Sequence, residues 1–178
     1  YNYKYSFITL ADVPANEFLN YEGGAFSKSR NWGIGALEAL DRYDADALRY
    51  YLSATMPETS DTDFRWASFL SRNNDELVAT LGNFIHRVLS MIARNFDGAA
   101  PARGETDEVD NAAIAECDAA MEGVGEQLEG RHFREALRLV MALAQHGNRY
   151  LDAKQPWQTA KTDMDRTGTT LSVGLEIV

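Results

Sequence analysis

A short glycine-led loop contains the first residues in the chain that could take part in chemistry. The segment from Gly23 to Asn31 reads GGAFSKSRN, in which Ser27 and Ser29 flank Lys28. A mobile loop with a cation and hydroxyl donors can bind a phosphate chain and stabilise the charge that develops during phosphoryl or nucleotidyl transfer. A Ser-Lys-Ser tripeptide is also common in ordinary loops, so composition leaves both interpretations open.

Three residues further along the chain could bind unpaired bases. Asn83 and Arg87 are four residues apart and share one face of a predicted helix, where an amide and a guanidinium can hydrogen-bond to a base edge. Trp157 follows Pro156 at a predicted helix start, and its indole could stack on a base. The structural alternatives are a buried helix–helix hydrogen bond for Asn83, a surface ion pair for Arg87 and a core anchor for Trp157.

The sequence has no pattern typical of a metal centre or an activated nucleophile. The three histidines, His86, His132 and His146, have no metal-ligand partner at helical spacing, so no metal is expected in this chain. Cys117 is the single cysteine, which excludes an internal disulfide framework and a thiolate zinc site. Its acidic surroundings are expected to raise its pKa. Neither a G-x-S-x-G turn nor a Rossmann or Walker phosphate loop is present.

The chain is acidic, but its negative charge is concentrated in one zone. The 178 residues carry 17 basic and 27 acidic side chains, a net charge of −10, and residues 97–130 alone hold ten acidic residues against one basic residue, Arg103. This balance argues against a polybasic DNA or membrane binder, although the nearly neutral flanking zones could still approach RNA. The acidic zone is equally well explained as a solvated helix face. The single cysteine and the lack of a long apolar run predict a cytoplasmic protein.

Hydrophobic periodicity predicts an all-α protein, a bundle of four or five helices preceded by a short β or irregular segment. Strands are predicted at residues 5–10 and 17–21, the second running into a turn at Gly23. Asp44 is the expected N-cap of one helix, and Met56-Pro57 its end. The predicted helices cover residues 36–43, 44–53, 64–70, 73–96, 108–129, 132–151, a short piece from 156, and 166–178.

Several segments together resemble one family, the methionyl-tRNA synthetases of class I. Residues 26–32, FSKSRNW, resemble the family's KMSKS signature loop, although Ala25 and Phe26 stand where the signature has Lys and Met. The resemblance covers about residues 13–178. It rests on the strings PANEFL (14–19), DALRYYL (46–52), PE (57–58), DTDF (61–64), NDEL (74–77), GN (82–83), RV (87–88), Asn148 and PW (156–157).

This resemblance implies a role for the matching residues. Lys28 and the serines on either side of it would belong to the loop that closes over ATP during methionyl-adenylate formation, with Lys28 contacting the phosphates. Asn83, Arg87 and Trp157 would read the CAU anticodon of tRNA(Met). Both implications agree with the chemistry that these residue types and spacings allow.

The resemblance also implies how the chain relates to a whole enzyme. Residues 1–55 would be the end of the catalytic domain with its connecting helix, and residues 56–178 the helical anticodon-binding domain. The parent would attach methionine to tRNA(Met) with ATP and Mg²⁺, and any zinc of the parent would lie outside this chain. Because a HIGH-type motif and a methionine pocket are missing, we expect this portion to be inactive alone. Two alternatives stay open: a stand-alone helical tRNA-binding module without catalysis, and a structural or protein-interaction domain.

Overall fold

The computed structural model describes residues 13–178, which form a helical bundle with a small sheet on its N-terminal side. Strand β1 (Leu19–Tyr21) pairs in parallel with β2 (Thr62–Phe64), Tyr21 lying opposite Phe64. A turn follows β1, as predicted, and Gly23 adopts a positive φ of 83° there. The strand predicted at residues 5–10 lies outside the described residues.

The predicted all-α class is confirmed. The helices are α1 (Ala36–Arg42), α2 (Ala45–Ala54), α3 (Trp66–Arg72), α4 (Asn83–Asn95), α5 (Glu108–Glu129), α6 (Phe133–Lys154), α7 (Pro156–Thr159) and α8 (Met164–Ile177). Asp44 caps α2 by accepting hydrogen bonds from the backbone of Asp46 and Ala47, as predicted. Asp107 caps α5 in a reciprocal capping box with Asp110.

Two predicted elements differ from the structure. Phe64, expected in a helix, lies in β2, where its strand pairs with β1, and α3 begins two residues later at Trp66. The helix predicted to begin near residue 73 instead continues from α3 into α4 through a ten-residue π-helical segment, Asn73–Gly82. No side chain of that segment is buried, so packing does not impose the 3.6-residue period there. Gly82 ends the segment, where an added Cβ would lie 2.9 Å from the Leu77 carbonyl oxygen.

The buried apolar side chains form two clusters. The smaller one joins the sheet to α2 and α3 around the aromatic residues Tyr51, Phe64 and Phe69. The larger one is the centre of the helical bundle, where Phe84, Val88 and other α4 residues pack against the later helices. Phe84, Val88 and Ile92 recur every four residues, which is the interval expected for the buried face of an amphipathic helix, whereas Leu89 on the same helix is 46% exposed.

A buried ionic network holds the beginnings of α5 and α8 against the end of α6. The Asp110 carboxylate is fully buried and contacts Arg166, Lys154 and the Tyr150 hydroxyl, the last at 2.8 Å. Burial opposes ionisation of Asp110, but hydrogen bonds from Arg166, the Asp107 backbone and Tyr150 outweigh it, so its pKa is held below the usual range. Burial and the neighbouring Asp110 raise the pKa of Tyr150. Among the described residues no helix is long and apolar enough to cross a membrane.

Candidate functional site

The three residues predicted to bind bases converge where α4, α6 and α7 meet. Asn148 links two of them, because its side-chain oxygen accepts hydrogen bonds from Asn83 Nδ2 and Arg87 Nη1, each at 3.1 Å. Arg87 Nη2 pairs with Asp152 Oδ1 at 2.5 Å. The Arg87 guanidinium lies over the Trp157 ring, 5.2 Å from its centroid, which is within the range of a cation–π contact.

This face is ordered and still open to solvent. Asn83 is exposed, and the Arg87 side chain, held by two partners, retains 24% of its exposure. The Trp157 residue is 40% exposed, so the indole is neither a buried core anchor nor an isolated surface group. Two of the structural alternatives hold in part, because Asn83 makes a helix–helix hydrogen bond to Asn148 and Arg87 forms an ion pair with Asp152. Asn83 is exposed and Trp157 is not a core anchor, so the face remains open to a ligand.

Close packing of α4 on α6 sets the geometry of the face. Gly147 on α6 is buried, and an added Cβ would lie only 2.5 Å from Cζ of Phe84 on α4. The missing side chain lets the two helices approach where Asn148 follows on α6. The Asn148 amide nitrogen donates to the Thr80 carbonyl at 2.9 Å, which ties it to the π-helical segment. The position of the π-helical segment beside this face is consistent with the frequent occurrence of π-helical turns at functional sites.

The left-handed backbone conformation of Gln155 sets the position of Trp157. Gln155 adopts φ 45° and ψ 56° and ends α6, and Pro156 then occupies the first turn of α7. Pro156 is buried and fixes the start of α7, so the adjacent Trp157 projects beside Arg87. The predicted helix restart at Pro156 is confirmed.

The arrangement offers hydrogen-bonding groups beside an aromatic surface. Asn83 donates one amide hydrogen to Asn148, which leaves its carbonyl oxygen and a second hydrogen for another partner. Arg87 keeps donors beyond those used by Asn148 and Asp152. An unpaired base could stack on Trp157 and present its edge to these groups.

The Ser-Lys-Ser loop forms a tight turn close to the sheet. Backbone hydrogen bonds of 2.9 Å pair Ser27 with Trp32 in both directions, and the hydroxyls of Ser27 and Ser29 lie 3.3 Å apart. Lys28 is exposed, and its ammonium has no ion-pair or hydrogen-bond partner among residues 13–178. Its positive charge is therefore available to an anionic ligand.

Aromatic contacts anchor both ends of this loop to β1. Trp32 Nε1 donates to the Tyr21 carbonyl at 2.9 Å, and the Phe26 ring lies 5.4 Å from that of Tyr21. Gly33 has φ 145°, and an added Cβ would meet Phe26 Cδ1 at 2.6 Å. Within the described part of the chain no hydrogen bond, ion pair or ring contact joins this loop to the face around Asn83.

The described residues form neither a metal site nor an activated nucleophile. Residues 13–178 contain no group of three or more His, Cys, Asp or Glu side chains arranged to hold a metal ion. Burial raises the pKa of the Cys117 thiol, with further contributions from Glu176 and Asp118, which confirms the predicted direction. A thiol in this environment is not an activated nucleophile.

Two residues of the face had no predicted role. Asn148 and Asp152 lie at i and i+4 on α6, and both contact Arg87 on α4. Their helical spacing is a sequence signal for a shared face. The register between α4 and α6 decides which residues they meet, and spacing within one helix does not report it.

Comparisons with known proteins agree with this architecture. The sequence model for "tRNA synthetases class I (M)" matches residues 3–89, and the model for the "Anticodon binding domain of methionyl tRNA ligase" matches residues 100–178. A methionine–tRNA ligase of Pyrococcus horikoshii is 54% identical over 167 residues, 94% of this chain and 23% of that protein. One from Porphyromonas gingivalis is 48% identical over 174 residues, 97% of this chain and 26% of that protein.

Solved structures agree with the sequence comparisons. Mycobacterium tuberculosis methionyl-tRNA synthetase in complex with methionyl-adenylate superimposes with a TM-score of 0.84 at 30% identity, covering 92% of this chain and 33% of that one. The apo form of the same enzyme gives a TM-score of 0.81 at 28% identity. This chain thus spans about a quarter of the length of the curated relatives it matches. The chain belongs to the methionyl-tRNA synthetase family, and its residues 100–178 match that family's anticodon-binding domain.

Proposed function

We propose that this chain is the anticodon-reading portion of a methionine–tRNA ligase and also supplies the loop that acts on ATP. The parent enzyme attaches methionine to tRNA(Met) in two steps, forming methionyl-adenylate from methionine and ATP and then transferring methionine to the tRNA. Residues 1–55 belong to the catalytic side of that parent and residues 56–178 to its helical domain. The aromatic cluster shared by Tyr51, Phe64 and Phe69 would couple the two.

The convergence of Asn83, Arg87 and Trp157 on one open face carries the proposal. In this role Trp157 stacks on a base of the CAU anticodon, and Asn83 and Arg87 hydrogen-bond to base edges. Asn148 and Asp152 hold the guanidinium in place before RNA binds, which lowers the entropy lost on binding. A site whose donors are already positioned rejects bases that leave those donors unpaired.

The Ser-Lys-Ser loop supports the second part of the proposal. Lys28 is exposed beside Ser27 and Ser29, so it can contact the ATP phosphates and stabilise charge as pyrophosphate leaves. Mg²⁺ would arrive with ATP as part of the substrate. Zinc has no fitting ligand set among residues 13–178, since no group of His, Cys, Asp or Glu side chains there is arranged to hold a metal and the single cysteine, Cys117, is buried. That single reduced cysteine suits a cytoplasmic enzyme.

The two alternatives are not favoured. A stand-alone tRNA-binding module does not account for the match of residues 3–89 to class I synthetases. A structural or protein-interaction domain does not account for the exposed convergence of Asn83 and Trp157 around Arg87.

A pair of substitutions in the full-length parent tests both roles at once. Lys28→Gln should lower methionine-dependent exchange of pyrophosphate into ATP, because the loop charge acts during adenylate formation. Asn83→Ala should leave that exchange unchanged and lower the charging of tRNA(Met), because the anticodon is needed only when tRNA binds.

Loss of pyrophosphate exchange in Asn83→Ala, or unchanged exchange in Lys28→Gln, would contradict the assigned roles. Arg42→Gln is a matched control for Lys28→Gln, since Arg42 is exposed and its one ion pair among residues 13–178 is with Glu38 on its own helix. It should change neither reaction.

A further inference from the structure

One face of α6 carries a row of basic side chains that the base-reading role does not use. The row begins at Arg134 and continues with Arg138, four residues later, and Arg149, eleven residues after that. Gln145 lies between the last two. At 3.6 residues per turn these four side chains fall within an arc of about 60°. We call them the α6 stripe, and it extends over about 22 Å at a rise of 1.5 Å per residue.

The stripe leads directly into the face that holds the anticodon-reading residues. Asp152, about five turns from Arg134, lies in line with the stripe, and Asn148 lies about 40° outside its arc. Both contact Arg87, so the Asp152 carboxylate is already paired with a guanidinium. Towards its other end the stripe borders an open cleft of about 660 Å³ between α6, α2 and the π-helical segment, lined by Arg134, Arg138 and Gln145 among others. The stripe therefore runs along α6 from the anticodon face to the cleft beside α2.

Two of the three arginines of this stripe have guanidinium groups unpaired by any described residue, although Glu58 accepts a hydrogen bond from the Arg134 backbone nitrogen beside them. Arg134 and Arg149 are exposed, and their guanidinium groups have no ion-pair or hydrogen-bond partner among residues 13–178. Arg138 pairs with Glu135 through two hydrogen bonds of 2.5 and 2.7 Å. This exposed pair, three residues apart on one helix, is easily exchanged for another anion.

The acidic helix α5 packs on a different side of α6 from the one that carries the stripe. Helix α5 packs on the side of α6 that carries Leu139 and Tyr150, as Gly123 and Asp110 on α5 contact those residues. That side is roughly 120° around the α6 axis from the centre of the stripe. A polyanion on the stripe therefore runs beside the acidic helix without crossing the α5–α6 contact.

We propose that the α6 stripe binds the phosphate backbone of the RNA stem that adjoins the anticodon loop, and that Arg134 and Arg149 are its main contacts. This inference rests on the proposed function, because the anticodon on the Asn83 face sets where the stem begins. Backbone contacts of this kind fix register and add affinity without reading sequence. Base discrimination remains with Asn83, Arg87 and Trp157.

The test is the salt dependence of binding between the whole chain and two RNA hairpins, one with a CAU loop and one with its first anticodon base changed. Arg134→Gln/Arg149→Gln should reduce the slope of log K against log salt by about 1.4–1.8, since each phosphate contact contributes about 0.7–0.9. At 0.1 M salt that corresponds to about 25- to 60-fold weaker binding to both hairpins. The affinity ratio between the hairpins should stay as in the wild type. Arg42→Gln/Arg49→Gln removes the same charge from α1 and α2 and should leave the slope unchanged.

The outcomes separate this inference from the proposed function. If the wild type prefers CAU and the stripe variant binds with unchanged affinity and slope, the stripe proposal is wrong and anticodon reading stands. If the stripe variant loses the CAU preference, Arg134 or Arg149 reads bases and the backbone role is wrong. If the wild type binds both hairpins equally and the stripe variant shows a smaller salt slope, the stripe proposal is supported and the proposed anticodon role is wrong. Absence of binding by the wild type overturns both.

Discussion

Replacing Gly147 by alanine should destabilise the protein and disturb the anticodon face together. The new Cβ would lie 2.5, 2.6 and 2.9 Å from three atoms of the Phe84 ring, far inside normal contact. Phe84 is 1% exposed and sits in the main core, so its ring has no free volume into which to move. The strain is therefore expected to push α6 away from α4.

Two opposing effects determine how much Gly147→Ala changes the free energy of unfolding. Overpacking of a core costs about 1–3 kcal/mol. Replacing glycine by alanine inside a helix stabilises by about 0.8–1.0 kcal/mol. For Gly147→Ala we expect a net loss of up to about 2 kcal/mol in the free energy of unfolding. Gly125 on α5 is a matched control, because an added Cβ there meets no atom within 4 Å.

Urea unfolding of both variants isolates the steric effect, since the helix-propensity gain is common to them. Gly125→Ala should be up to about 1 kcal/mol more stable than the wild type, and Gly147→Ala should fall about 1–3 kcal/mol below Gly125→Ala. In a Phe84→Leu background, Gly147→Ala should cost less than in the wild type. Equal stability of the two alanine variants would refute the close-packing explanation.

Four further predictions follow from local geometry. Asp110→Asn should cost about 1.5–3 kcal/mol at pH 7, because it removes the charge of a fully buried carboxylate that contacts Arg166 and Lys154, while Asp107 still pairs with both. Since the pKa of Asp110 is lowered in the folded state, the unfolded chain binds more protons than the folded chain as the pH falls below about 4. Urea unfolding between about pH 3 and 7 should therefore show that the wild type loses this stability as the pH falls. Asp110→Asn should not show this loss. Asp44→Ala should cost about 1 kcal/mol in thermal unfolding, through loss of the α2 cap. Gly33→Ala should force Phe26 out of its position, so pyrophosphate exchange by the full-length parent should fall while hairpin binding by this chain is unchanged. The chain alone should form no methionyl-adenylate in the same exchange assay.

Elements whose signal is local could be predicted from the sequence. Helix α5 has the predicted bounds, and Asp44 and Pro156 act where capping preferences place them. Strand β2 was missed because three residues are too few to show alternation, and Phe64 lies just before the helical pattern of Trp66, Phe69 and Leu70. The π-helical segment was missed because an apolar period cannot distinguish helix types where no side chain is buried.

The candidate site was predictable in its residue types and less so in its assembly. Asn83 and Arg87 share a helix face by spacing alone, and the Pro-Trp pair marks a helix start. Their meeting depends on Gly147, which lets α4 approach α6, and on Asn148, which bridges the two helices. Contacts between residues more than 60 positions apart are set by the tertiary register, which the spacing within one segment does not report.

The most direct test of anticodon reading is titration of this chain with a CAU hairpin and with the same stem carrying a changed first anticodon base, at one stated salt concentration. The wild type should prefer CAU. Trp157→Ala should abolish that preference and weaken CAU binding by about 1–3 kcal/mol, or roughly 5- to 150-fold, through loss of stacking. Trp157→Phe keeps an aromatic surface and should retain most of the affinity. Equal binding of the wild type to both hairpins, or an unchanged CAU preference in Trp157→Ala, would contradict the role given to this face.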